Sequence, residues 1–142
     1  MVQRSLAGFV GAAVLVAALV AGCDHNAKTY SRSDVKRAFR SQGFDLGQPN
    51  PPVLTVAPTP ELLKAMDSGP TFWIPKRQRQ PLVVLLYKHK SDADDAVQAL
   101  RRPGYRDEFD VQKGNLVVTN DGPLLIPSTQ RRIRNALAQL GQ

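Results

Sequence analysis

The sequence predicts an α+β fold: a small mixed or antiparallel sheet with helices packed on one face. Three observations in the second half carry that expectation. "PLVVLLYKH" (81–89) is a continuous apolar run of strand-forming residues. "DEFDVQKGNLVVT" (107–119) reads as two short strands joined through Gly114. Helical periodicity flanks the pair, in "SDADDAVQALRR" before it and "STQRRIRNALAQLG" after it. The C-terminal half is therefore expected to run β-α-β-β-α.

"YSRSDVKRAFRSQGF" (30–44) predicts a first helix. Ser31 stands as its cap, Asp34 three residues on completes a capping-box pattern, and Tyr30 with Val35 fits a hydrophobic staple. Val35, Ala38 and Phe39 share a face, and Gly43 is a natural stop. Residues 49–81 hold eight of the eleven prolines, which opposes a long helix or a central strand and predicts an irregular excursion. Within it "PPVLTVA" suits a short edge strand, and Thr59-Pro60 suits the start of a brief helix through "ELLKAM".

The strand "PLVVLLYKH" has no polar alternation, so it is expected to be buried on both faces at the centre of the sheet. In the next helix Ser91 is the expected cap, with Asp92, Asp94 and Asp95 at the positive helix start and Ala93, Ala96, Val97 and Leu100 on one face. The last helix turns Ile133, Ala136, Leu137 and Leu140 to the core.

The N-terminal residues carry a different message. "MVQR" is a short basic start, and residues 5–22 form an uncharged, apolar, small-residue run that ends in "LVAGC". Cys23 is the one cysteine in the chain, and polar "DHNAKTYS" follows it directly. Leu-Val-Ala-Gly-Cys resembles the lipobox of bacterial lipoproteins. The resemblance implies that the Cys23 thiol takes a diacylglyceryl group, with Val20, Ala21 and Gly22 forming the cleavage side. An uncleaved membrane helix and an ordinary signal peptide are the alternatives, since the apolar run reaches the lower edge of membrane-spanning length. On the lipobox reading, residues 1–22 are a signal peptide, 23–30 a lipidated cysteine with a short tether, and 31–142 one α+β domain. The C-terminal half is also loosely similar to small ferredoxin-like domains and to small lipoproteins of high-GC bacteria; no binding residue transfers from either.

Arg4 is the single charge among residues 1–22, so the rest of the chain carries 18 basic against 12 acidic side chains, a net +6. Signatures of chemistry are sparse. His25 lies in the tether and His89 between Lys88 and Lys90, an arrangement that opposes metal binding. The acidic group Asp92, Asp94 and Asp95 lacks the glycine and distal glutamate of a calcium loop. No nucleophile elbow and no phosphate-cradling loop occurs in the sequence. No enzyme activity, cofactor or metal is expected.

Two stretches suggest a contact surface. In "GPTFWIPKRQR", Phe72, Trp73 and Ile74 run into Lys76, Arg77 and Arg79, which suits either a core plug or an exposed loop that meets headgroups or a partner. Arg101, Arg102, Arg106, Arg131, Arg132 and Arg134 form a basic set on helix surfaces and a loop. The expected protein is a membrane-anchored, extracytoplasmic interaction module of the cell envelope. Its expected partners are the bilayer, through the Cys23 acyl anchor, and an envelope protein or anionic polymer, not nucleic acid. The alternative is an accessory ligand-binding lipoprotein of a transporter or receptor, which an apolar pocket of several hundred cubic ångströms would favour.

Overall fold

The computed structural model describes residues 28–49, 59–76, 78, 82–101, 109–120 and 125–142. The expected signal peptide, Cys23 and the "PPVLTVA" edge strand lie outside the described residues. The described elements are α1 (Arg32–Ser41), α2 (Pro60–Ala65), β1 (Thr71–Trp73), β2 (Val83–Leu86), α3 (Lys90–Leu100), β3 (Val111–Lys113), β4 (Leu116–Thr119) and α4 (Pro127–Gln139). The class is α+β, as the sequence predicts.

The strands form one sheet in the order β1-β2-β4-β3, and every pairing is antiparallel. The β2 and β4 strands are central, with Val84 opposite Val118 and Leu85 opposite Val117, and all eight of their residues are buried. Because β2 and β3 both oppose β4, they run parallel to each other, and α3 forms the crossover that joins them.

The expected placement of helices on one face needs correction, because helices cover both faces. Side chains alternate along the strands. Trp73, Val84, Leu86, Leu116 and Val118 join a core with Val35 and Phe39 of α1 and Ile133 and Ala136 of α4. On the other face Phe72, Val83, Leu85 and Val117 pack with Leu62 of α2 and Ala93, Ala96, Val97 and Leu100 of α3. The reason lies in the strands themselves: "VVLL" and "LVV" offer no polar side to water, so both faces need a cover.

Helix ends follow the local chemistry in most places. The Ser31 hydroxyl accepts from the Asp34 N–H while the Asp34 carboxylate accepts from the Ser31 N–H, completing the capping box. At the other end of α1, Phe44 N–H donates to Phe39 C=O and Gly43 N–H to Arg40 C=O, with Gly43 at φ +78°. That is a Schellman motif, and its apolar contact is the Phe39–Phe44 ring pair at 5.7 Å. Thr59 caps α2 through its hydroxyl, and Pro60 takes the first helical position. The α3 start differs from expectation: His89, not Ser91, is the N-cap, and no side chain bonds there. Winding Lys90 into the first turn lets its Nζ reach both Asp94 oxygens, at 2.9 and 2.8 Å.

Candidate functional site

The aromatic segment expected as a possible contact surface is core for its first two members. Phe72 and Trp73 are strand residues of β1, pointing to opposite faces of the sheet, and Trp73 is 0% exposed. Alternation explains the outcome: two adjacent large aromatics in a strand with helices on both faces each find a core of their own. Ile74 is partly buried against the α2–α3 core. Lys76 is exposed, and its backbone N–H donates to Asp45 C=O at 3.1 Å. Arg77 and Arg79 lie outside the described residues. Phe72 and Trp73 therefore offer nothing to headgroups or to a partner. Emission of this sole tryptophan should be that of a buried indole, weakly quenched by iodide and unmoved by anionic vesicles; emission characteristic of a solvated indole would contradict its burial. The Trp73 Nε1–H has no hydrogen-bond partner among the described residues, so the side chain serves the core by its volume.

The structure instead gathers charge by layer. The α1 helix carries Arg32, Lys36, Arg37 and Arg40 against the single acid Asp34. Beside it on the same face of the sheet, α4 carries Arg131, Arg132 and Arg134 and no acid. The opposite layer reverses the sign, with Glu61 and Lys64 on α2 and Lys90, Asp92, Asp94 and Asp95 on α3. Among the described helices the basic surplus is thus on the α1–α4 side. The sequence pattern singles out the α4 arginines but not the α1 cations, because only the fold brings the first and last helices together.

Some of these cations hold the structure. Arg132 Nε donates to Gln42 C=O at 2.8 Å, and its guanidinium lies over the Phe44 ring at 4.3 Å, so it joins α4 to the end of α1. Arg37 pairs with Asp34 at 2.7 Å on the exposed helix surface. The Asp34 carboxyl is held below its usual range, first by hydrogen bonds from Ser31 and then by Arg37. Arg32, Lys36, Arg40 and Arg131 make no ion pair among the described residues. Arg32, Lys36 and Arg40 follow at i, i+4 and i+8 along one stripe of α1.

Two open grooves border this layer. One, of about 640 Å³, is lined by Ser33, Lys36, Arg37, Arg40 and Ser41. The other, of about 500 Å³, runs where the chain reaches the domain, between Lys28, Tyr30 and Arg37 on one side and Gln139, Leu140 and Gly141 on the other. Neither is a closed apolar pocket. Both are open surface depressions, the first floored largely by the alkyl stems of its basic side chains and the second mostly polar, of the kind that suits an interaction surface rather than enclosure of a small ligand.

The point of arrival of the chain is firmly fixed. Lys28 Nζ donates to Gly141 C=O at 2.8 Å. Tyr30 N–H donates to Asn115 Oδ1 at 2.7 Å, and Asn115 Nδ2 donates to Tyr87 C=O at 2.7 Å and to Tyr30 C=O at 3.3 Å. A Cβ on Gly114 would stand 2.2 Å from Lys28 C=O, so the β3–β4 turn has to be glycine there. Lys113 Nζ reaches the Leu137 and Leu140 carbonyls at 2.6 and 3.0 Å, completing the end of α4.

Asp94 and Asp110 are tied into local structure. Hydrogen bonding to Lys90, then to Gln112, lowers the Asp94 pKa. Burial raises that of Asp110, opposed by the hydrogen bond from Thr119 and by Arg101. The Tyr87 hydroxyl donates to Ala65 C=O at 2.5 Å, and burial, aided by nearby Asp92, pushes its pKa upward. His89 sits exposed at the N-cap of α3. Among the described residues no group of three His, Cys, Asp or Glu side chains is placed to hold a metal ion, and no helix is long and apolar enough to cross a membrane. Arg102 and Arg106 of the expected basic set lie outside the described residues. No protein-family model, curated protein or solved structure matches this chain.

Proposed function

We propose that the protein is a lipid-anchored, extracytoplasmic lipoprotein of the bacterial envelope whose α+β domain acts as a non-enzymatic interaction module. The observation that carries this reading is the sole cysteine, set directly after Val20-Ala21-Gly22 at the foot of an apolar run. Two acyl chains on one thioether make stable what a single chain holds only marginally. The open grooves along α1, bordered by Lys36, Arg37 and Arg40, support a surface-binding role over the enclosure of a small ligand. Partners of matching chemistry are anionic: acidic lipid, an acidic envelope polymer or the acidic face of a protein.

Mass spectrometry of the protein extracted from membranes tests the anchor. The N-terminal peptide should begin at Cys23 and carry a diacylglyceryl mass, and Cys23→Ala should move the protein out of the lipid-anchored fraction. A mature chain that keeps Met1 to Gly22 would rule the reading out.

A further inference from the structure

We infer that the α1–α4 layer is the membrane-facing side of the domain and docks on anionic phospholipid headgroups of the bilayer that holds its own anchor. The inference rests on the lipid-anchored reading above. Tether length comes first. From Cys23 to Lys28 is five residues, which span at most about 18 Å when fully extended. Lys28 is pinned to Gly141 at the end of α4, and it shares its groove with Arg37 of α1. A chain arriving there on so short a lead keeps that side of the molecule close to the lipid surface.

The charge asymmetry then selects an orientation. The side at the tether carries seven cations and one carboxylate on its two helices, whereas α2 and α3 carry two cations and four carboxylates. An anionic surface attracts the first and repels the second, which acts as a torque on a tethered domain. A well-placed cation at such a surface is worth about 1 kcal/mol, or about fivefold in equilibrium constant. The stripe Arg32, Lys36 and Arg40, with Arg131 on α4, supplies cations that no ion pair occupies among the described residues. Attraction falls off over a Debye length of about 10 Å, so the short lead is what lets these charges count.

The test uses the lipidated protein, extracted from membranes and reconstituted into phosphatidylcholine vesicles or vesicles enriched in phosphatidylglycerol. A brief pulse of amine-acylating reagent is read by mass spectrometry at Lys36 on α1 and at Lys64 on α2. Lys36 labelling should slow at least about fivefold on the anionic vesicles while Lys64 is unchanged, and salt at about 1 M, with a Debye length near 3 Å, should erase the difference. Arg32→Gln/Arg40→Gln/Arg131→Gln, which removes exposed side chains and leaves the Lys36 probe, should lose most of the protection; its Lys36 labelling on neutral vesicles checks that the fold is kept. Lys36 labelled equally on both vesicle types, in protein that floats with both, would overturn the docking while leaving the anchor intact. Failure to float with phosphatidylcholine vesicles would instead overturn the anchor and this inference with it. Equal protection by soluble polyphosphate on neutral vesicles would assign the face to an acidic polymer and overturn the membrane as its occupant.

Discussion

Replacing Leu85 with aspartate should leave the chain without a cooperative folding transition at neutral pH. Leu85 is 0% exposed at the centre of β2, opposite both Phe72 of β1 and Val117 of β4, and it packs into the core beneath α2 and α3. Losing the buried leucine removes about 2–3 kcal/mol. A carboxylate in the same place adds several more, because neither the apolar neighbours nor the already paired backbone can compensate it. A domain of this size has about 5–15 kcal/mol in total, so the single change removes most or all of its stability. Loss of the buried Trp73 emission, together with a non-cooperative thermal scan, is the expected readout. The companion change Leu63→Asp places the same chemistry on α2 at a residue 52% exposed, and should shift stability by no more than about 0.5 kcal/mol. A cooperative transition in the Leu85 variant, with unchanged Trp73 emission, would contradict the two-sided burial of β2.

Those two leucines also show which parts of the structure were legible in the sequence. Leu85 sits in a short apolar run of strand-forming residues without alternation, bounded by Pro81 and Lys88, which suits a strand with cover on both sides. The same observation argues for helices on both faces, yet the expected architecture has them on one; local periodicity identifies elements but does not count the layers they must make. Caps and stops were legible because they are local chemistry, as in the Ser31–Asp34 box, the Gly43 stop and the Thr59-Pro60 start. The α3 cap, His89, lies two residues before the expected Ser91: serine is the better cap by type, whereas the Lys90–Asp94 pairing belongs to the helix as built.

The candidate surface was less legible for a different reason. "TFWIPK" mixes aromatics with a cation, and no local rule tells a strand that fills two cores from a loop that meets a membrane. Tertiary alternation decides it, one aromatic on each side of the sheet. The basic layer was hidden because its two halves are about ninety residues apart in sequence, a separation that the Arg132–Gln42 bond closes. Burial of Asn115 was equally hidden. In "KGNLVV" an asparagine after glycine reads as a solvated turn residue, and nothing local shows that residues 28–30 will close over it.

Asn115 is the second site where one substitution should have a large effect, and the effect should depend on pH. Its side chain is 3% exposed; it accepts from Tyr30 N–H and donates to Tyr87 C=O and Tyr30 C=O, joining the segment before α1 to the end of β2. Asn115→Ala strands one buried donor and two buried acceptors, each worth about 1–3 kcal/mol when unsatisfied, so a total loss of about 3–5 kcal/mol is expected after partial relaxation. Asn115→Asp keeps the acceptor for Tyr30 N–H but turns a carboxylate oxygen toward two carbonyl oxygens. Only the protonated acid can donate there, so the folded state raises the pKa of this aspartate above its unfolded value of about 3.9. A raised folded pKa places the stabilising contribution at low pH, fully present below about 3.9 and lost as pH climbs through the folded value. The Asp variant should therefore melt closest to the wild type in acid and fall steadily behind it toward neutral pH. The Ala variant should trail the wild type by a nearly constant margin. Thermal melts of the three proteins across that range, followed by Trp73 emission, separate the cases: an Asp variant whose deficit stays flat with pH would mean that the Asn115 amide does not donate to Tyr87 and Tyr30, and that another contact holds the incoming chain against the sheet.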